Sequence, residues 1–403
     1  ADTSVAFHHA VRQDGSMTDI AIIGGGIAGV SAAYWLALHP SAPSVTVLEA
    51  EATLAHHTTG RSAAQLIPNL GAEPLRPLTV ASVPFLRQPP DGFAEHPLVS
   101  SRAVITVAPP GEEASLDEQL RAARRVDPGA TEVEYSEAVG LFPALRREAF
   151  GRGMLEPSGD DIDVAALHQA FTVGARRAGA TVERAWRLAA AELSSGSGSS
   201  GSGDHPRWNL IAEDGRTLSA ATVVNTAGAW GDVVAGICGL PGVDLEPRRR
   251  TAFMTPSGVA GSAEWPMVVD VAHRWYVKPD GPQLLCSPAD QTPSAPCDAK
   301  PEELDVALAI ERINEATTLG IRTVASAWAG LRTFAPDESM VIGPDPGMPG
   351  FVWCVGQGGT GIQTAPAAGR LLADLTLDGA PSAFFDGVTL DLAALTPHRL
   401  VGR

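Results

Sequence analysis

Cysteine is scarce in this chain: Cys238, Cys286, Cys297 and Cys354 are the only four in 403 residues, with no C-x-x-C pair among them. That excludes a disulfide framework and a cysteine metal centre, and predicts reduced, mostly buried thiols of the cytoplasmic kind. Positive charge is also short. Twenty-nine basic residues against 46 acidic ones leave a formal charge of -17, which repels phosphate backbones and anionic lipid and argues against a nucleic-acid partner. A convincing membrane span is missing as well. Ile20 to Leu38 is nineteen residues without a charge, but Gly24, Gly25 and Gly26 would break such a helix near its start. The residues before Met17 hold His8, His9, Arg12 and Asp14 and lack the apolar core of a signal peptide, so 1–16 is expected to be an extension outside the fold.

What is present is the makings of a large globular protein, 44% hydrophobic and long enough for two or three domains. Its organising stretch is Asp19 to Gly29. Ile20–Ile23 predicts a buried parallel strand, Gly24-Gly25-Gly26-Ile27-Ala28-Gly29 a tight turn, and the run from Ile27 to Leu38 a helix. Gly24 permits the turn, Gly26 lets backbone amides approach a pyrophosphate, and Gly29 lets helix and strand pack closely, while the helix N-terminus attracts negative charge. A second strand, Ser44–Leu48, ends at Glu49, twenty residues after Gly29, where a carboxylate can accept bonds from a ribose. The combination points to a dinucleotide site.

Further along, His56 to Gln65 is either a second anion-cradling loop or a solvated one; Thr, Ser, backbone amides and Arg61 could all reach phosphate. His56 and His57 are expected at the surface, since no carboxylate or thiol partner stands nearby at helical spacing, and no metal site is predicted. Asp160, Asp161 and Asp163 precede a helix from Val164, which favours capping and dipole compensation over a metal site. Ser194 to Gly203, serine and glycine only, predicts a hairpin tip or linker. The strands about Arg248–Met254, Trp275–Val277 and Gln283–Cys286 follow one another without long helices and so belong to a second sheet. Gly356-Gln357-Gly358-Gly359-Thr360-Gly361 is a second glycine turn, predicted to open a helix through about Leu375. It is either an ordinary turn or a helix N-terminus set against the pyrimidine end of a reduced flavin.

Gly24–Gly29, Glu49, Thr59-Gly60-Arg61-Ser62, Asn225-Thr226-Ala227-Gly228-Ala229-Trp230, Gly330-Leu331-Arg332 and Gly356–Gly359 together resemble the FAD-dependent D-amino acid oxidase superfamily, and within it the D-arginine dehydrogenase branch. The resemblance runs from Asp19 to Arg399. It implies an α/β fold in which a Rossmann-like FAD-binding domain (17–80, 150–240, 330–403) is interleaved with an α+β substrate domain (81–149, 241–329) on a mixed or antiparallel sheet. It also implies flavin contacts from Gly24, Gly26, Ile27, Ala28, Glu49, Thr59, Arg61, Ser62, Ala63, Val182, Ala227, Gly228, Trp230, Gly358, Gly359, Gly361 and Ile362. No cysteine stands in Leu331-Arg332-Thr333-Phe334, where relatives attach FAD, so a noncovalent flavin is expected.

By the same resemblance Arg250, Arg332 and Tyr276 hold a substrate carboxylate, with Gln65, Leu70, Val104, Met267, Gly330, Gln357 and Thr360 lining the substrate pocket. A guanidinium fork suits a carboxylate, although a structural ion pair would also explain either arginine, and a core position would explain Tyr276. Three positions depart from the branch: Gln65 replaces a histidine, Leu70 a tyrosine, and Val104 the acid that would meet a substrate guanidinium. The expected activity is therefore oxidative deamination of an apolar or neutral D-amino acid. The alternatives are a secondary-amine oxidase of the sarcosine or glycine type and a noncatalytic flavin protein. The sequence names no electron acceptor.

Overall fold

The structure, a computed structural model, describes residues 16–194 and 206–400. The expected extension, apart from Ser16, and the serine–glycine segment from 195 onward lie outside them. In chain order the elements that build the site are β1 (Ser16–Ile23), α1 (Ile27–Ala37), β2 (Val45–Leu48), β3 (Gln65–Leu66), α2 (Arg76–Arg87), β4 (Val104–Ala108), β5 (Arg152–Glu156), β6 (Asp160–Ile162) and α3 (Val164–Arg177). They continue with β7 (Thr181–Glu183), β8 (Leu188–Ser194), β9 (Arg207–Ala212), β10 (Thr217–Asn225), α4 (Gly231–Ile237), β11 (Glu246–Pro256), β12 (Met267–Asp270), β13 (Tyr276–Asp280) and β14 (Gln283–Ser287). The last are α5 (Glu303–Ala316), β15 (Ser326–Phe334), β16 (Val341–Pro344), β17 (Phe351–Val355) and α6 (Ala365–Leu377).

The first sheet has eight strands in the order β8-β9-β10-β1-β2-β7, with β17 joined to β10 and β16 to β17. Its centre is parallel: β1 runs with β10 and β2, β2 with β7, and β10 with β17. A parallel sheet is covered on both faces, which is why β1 reads as a continuous apolar run. Ile20 and Ile22 enter a core shared with α1, α2, α3 and α6, while Ala21 and Ile23 enter another with Trp208, Val223, Phe351 and Trp353. Helix α1 is apolar on nearly every side because it is buried between this sheet and α3 and α6.

The second sheet has nine strands and is mixed. Its path runs from Thr292–Pro293 through β11, β14, β13, β12, β4 and β5 to Thr131–Val133, with β15 paired to β11. Only the β12–β4 pair is parallel among its described pairings. The boundaries expected at 149/150 and 329/330 run through this sheet: β5, and β15 as far as Phe334, belong to it. Ala81, Phe85 and Leu86 of α2, by contrast, pack into the core of the first sheet.

Two local expectations change. Of the three acids before α3, only Asp163 caps the helix, accepting from Ala166 N at 2.8 Å. Asp160 and Asp161 lie in β6 and pair with Arg87, and with Arg102 and Lys278. The C-terminal glycine turn is also longer than expected, with α6 starting at Ala365 rather than at Gly361. Gly358 takes φ +51 against the Phe334 ring, and Pro366 sits in the first turn of α6, where its missing N–H does no harm.

Candidate active site

A cavity of about 630 Å³ runs from the C-terminal edge of the first sheet to the face of the second. At its nucleotide end, Gly24 leaves β1 at φ +111, where an added Cβ would stand 2.8 Å from Thr226 O. A Cβ at Gly29 would stand 1.9 Å from Gly24 O, so α1 packs on its own turn only because that residue is glycine. Glu49 closes β2 facing the cavity. Its Oε2 accepts from Gly25 N at 2.7 Å and its Oε1 from Glu51 N at 2.8 Å, which fixes the carboxylate and leaves each oxygen a further lone pair. His168 of α3 adds a support that no motif announced. Burial holds it toward the neutral form, and its Nε2 lies 2.9 Å from Gly25 O, to which the N–H donates.

At the other end Arg250, Arg332 and Tyr276 converge from β11, β15 and β13. The three consecutive arginines separate by role. Arg248 pairs with Glu246 and Glu338, and Arg249 with Glu302, Asp305 and Asp290. Arg250 has no carboxylate pair among the described residues. Its Nε donates to Asp290 O at 2.8 Å, and Tyr276 lines the cavity with it. That leaves the terminal nitrogens of the fork for a ligand. Arg332 has neither a side-chain hydrogen bond nor an ion pair among the described residues, and it lies against the Gly359 backbone, where a Cβ would be 2.9 Å from Nη1. Burial, and for Arg250 also the charge of Arg332, presses both guanidiniums toward losing a proton. Arginine does not yield one, so an anion is what relieves the pair.

Most of the expected residues line this cavity: Gly24, Gly26, Ile27, Ala28, Glu49, Thr59, Arg61, Ser62, Ala63, Ala227, Gly228, Trp230, Gly358, Gly359, Gly361, Ile362, Gly330 and Gln357, with the three anchors. Val182 does not; it sits mid-strand in β7 against the first core. Gln65, Leu70, Val104, Met267 and Thr360 also stand off the cavity wall. Leu70, Val104 and Met267 form an apolar layer with Ile67, Met254, Leu285 and Tyr276. Thr360 is buried in the glycine turn, its hydroxyl donating to Gln357 O.

Arg61 reaches the cavity, but its guanidinium is occupied by Ala299 O, Ala329 O and Asp298, so it ties two segments together instead of standing free for phosphate. Thr59 is similar, its Oγ1 accepting from Ile27 N at 3.0 Å. His57 is not the expected surface histidine. It is half-buried, 4.6 Å from the Trp230 ring and 3.1 Å from Glu51, a carboxylate the fold supplies from six residues upstream. Trp186, Arg187, Leu188 and Glu213 also line the nucleotide end. They carry no motif: the β7–β8 connection brings Trp186, Arg187 and Leu188 there, and the turn after β9 brings Glu213, whose N–H donates to Arg187 O.

The wall suits a large, polar, anionic ligand. His57 Nδ1 and Thr333 Oγ1 are buried there without a protein partner among the described residues, the N-terminus of α1 faces it, and two guanidiniums close its far end. No cysteine lines it.

Comparison with known proteins agrees. The DAO family model, described as FAD dependent oxidoreductase, matches residues 19–375. FAD-dependent oxidoreductase domain-containing protein 1 of Bos taurus is 29% identical over 188 residues, covering 42% of this chain and 38% of that protein. Mitochondrial dimethylglycine dehydrogenase of Rattus norvegicus is 24% identical over 401 residues, covering 92% of this chain and 44% of that protein. The chain thus spans less than half the length of these curated relatives. Among solved structures, L-proline dehydrogenase from P. horikoshii superposes with a TM-score of 0.80 at 18% identity, over 96% of this chain and 98% of that one. Glycine oxidase from Geobacillus kaustophilus gives 0.79 at 22%, over 95% and 99%. With the fold, the glycine turns and the matched span in agreement, the chain belongs to the DAO family of FAD-dependent oxidoreductases.

Proposed function

We propose that the protein oxidises the carbon–nitrogen bond of a free amino acid, and that the substrate is a neutral or apolar D-amino acid. The observation that carries this is the unpaired guanidinium of Arg332 beside Arg250 and Tyr276 at the end of a cofactor-sized cavity. Two forks and a phenol suit one carboxylate, and a carboxylate held there orients the adjoining C–H and C–N bonds. Glycines 24, 26, 358 and 359, the N-terminus of α1 and Glu49 would hold the FAD, without a covalent bond from cysteine. Bound FAD supplies the two-electron acceptor for the C–H bond next to nitrogen. The amino acid loses two electrons and two protons to give an imino acid, which water converts to keto acid and ammonia. An amine that loses its proton on binding needs no dedicated base.

The apolar layer of Leu70, Val104 and Met267, which stands behind the cavity wall below Tyr276, supports the side-chain preference, because it offers no carboxylate toward a cationic side chain. Glu156, opposite Val104 on β5, is a poor substitute: burial pushes its carboxyl up to about 7, and Asn69 Nδ2 already occupies it at 2.6 Å. A second reading, oxidation of a secondary amine, draws support from three of the similar proteins, whose names refer to proline, glycine and dimethylglycine. The two part in a dye-linked assay that scores dye reduction for every substrate, with keto acid and ammonia measured as the products of the first reading. D-leucine or D-phenylalanine should outpace D-arginine, sarcosine and proline; faster turnover of sarcosine or proline would establish the second reading, and faster D-arginine would refute the preference.

A further inference from the structure

Lys278 stands apart in this chain. Of its 29 basic residues only two are lysine, and Lys278 is the buried one, its side chain 9% exposed. It follows Tyr276 by two residues on β13 and so points to the same face of the second sheet, the one turned toward the cavity. Its Nζ donates to Ala63 O at 2.7 Å and to Asp161 Oδ1 at 2.9 Å. Asp161 is shared, accepting also from Arg102 Nε at 2.8 Å. Two cations and one carboxylate therefore leave one net positive charge immediately behind the cavity wall.

The wall at that point is strained. Ala63 lines the cavity, and Ala64 takes φ +35, a conformation alanine avoids. Lys278 on Ala63 O, Ile162 N on Ala64 O and Ser62 Oγ on Ala64 N hold the turn from three sides. A compact ammonium suits this place, where one carbonyl and one carboxylate must be met at a point; the planar fork of arginine would not.

We propose that Lys278 is a positioning residue for the flavin. It holds the Ser62–Ala64 turn in the shape that meets the ring, and the net charge of the Lys278–Asp161–Arg102 group favours the reduced, more negative ring. The role rests on FAD occupying the cavity but not on the identity of the amine.

The experiment uses the full FAD-loaded chain and reads two quantities: the flavin midpoint potential against a reference dye, and FAD affinity by flavin fluorescence on the apo-protein. Lys278→Met should make the potential more negative and weaken FAD binding about tenfold, the loss of one hydrogen bond to a charged group. Lys278→Arg keeps the charge and should restore the potential. Asp161→Asn removes the counter-charge and should move the potential the opposite way from the Met variant. A purely structural role would move the Met and Asn variants in the same direction, or neither, and either outcome overturns the proposal. If the Met variant does not fold, Lys278→Gln, which keeps an N–H for Ala63 O, must still lower the potential. A wild-type chain that binds no FAD would refute the cofactor site itself, a separate failure.

Discussion

Replacing Arg332 should separate stability from function. The side chain has no hydrogen-bond or ion-pair partner among the described residues, is burdened by burial, and is repelled by Arg250. An unpaired charge that is half-buried beside a second guanidinium is partly desolvated with nothing to offset it in the ligand-free protein, so Arg332→Met, of similar length and apolar, should relieve a burden. A gain of about 1 kcal/mol is expected, which in a chain of this size raises Tm by roughly 1–2 °C. Substrate binding should move the other way. Two charge-assisted hydrogen bonds disappear at about 1.5–3 kcal/mol each, partly offset by Arg250 and Tyr276, so a net loss of about 2–4 kcal/mol raises the Michaelis constant by roughly 30-fold to 1000-fold. The assays are thermal melts of the FAD-loaded protein without substrate and initial rates across substrate concentration. An unchanged Michaelis constant, or a Tm that falls by several degrees, would refute the reasoning, because either would mean that Arg332 has a partner in the fold.

Two further perturbations follow. Glu156 has its carboxyl raised from 4.5 to about 7, by burial first, so between those values the folded chain holds a proton the unfolded chain has lost, and stability falls as pH rises through that window. By pH 8 the loss approaches about 3 kcal/mol; Glu156→Gln should abolish it, flattening the denaturant midpoint measured between about pH 5 and 8. Gly359→Ala places a Cβ 2.9 Å from Arg332 Nη1, the movable end of a side chain. The variant should fold and retain flavin, with a Michaelis constant raised several-fold; an unaltered constant would show that Arg332 does not bind substrate where it stands.

The parts of the site legible in the sequence are those whose chemistry is local. Gly24, Gly29 and Glu49 announce themselves because a strand, a turn and a helix of fixed spacing leave one conformation, and the structure gives Gly24 its positive φ and Gly29 its contact with Gly24 O. The anchors depended on resemblance, since nothing near Arg250 distinguishes it from Arg248 and Arg249. Only the fold shows that its neighbours have carboxylates and that, among the described residues, it does not. Arg61 misled for the converse reason: its partners, Ala299, Ala329 and Asp298, lie more than two hundred residues away. His57, Glu51 and Trp186 were missed because tertiary packing brings them together. Gly358 takes a positive φ beside the Phe334 ring, a contact no window of sequence contains, and α6 starts only beyond it at Ala365.

The central claim is that Arg250, Arg332 and Tyr276 hold an amino acid carboxylate with its C–H bond against bound FAD. Anaerobic mixing of the FAD-loaded protein with D-leucine, followed by the flavin absorbance, tests it most directly. Rapid bleaching in the wild type, slowed strongly at equal substrate in Arg332→Met, is the result predicted. A flavin that neither D-leucine nor any other amino acid or N-methyl amine bleaches would contradict it.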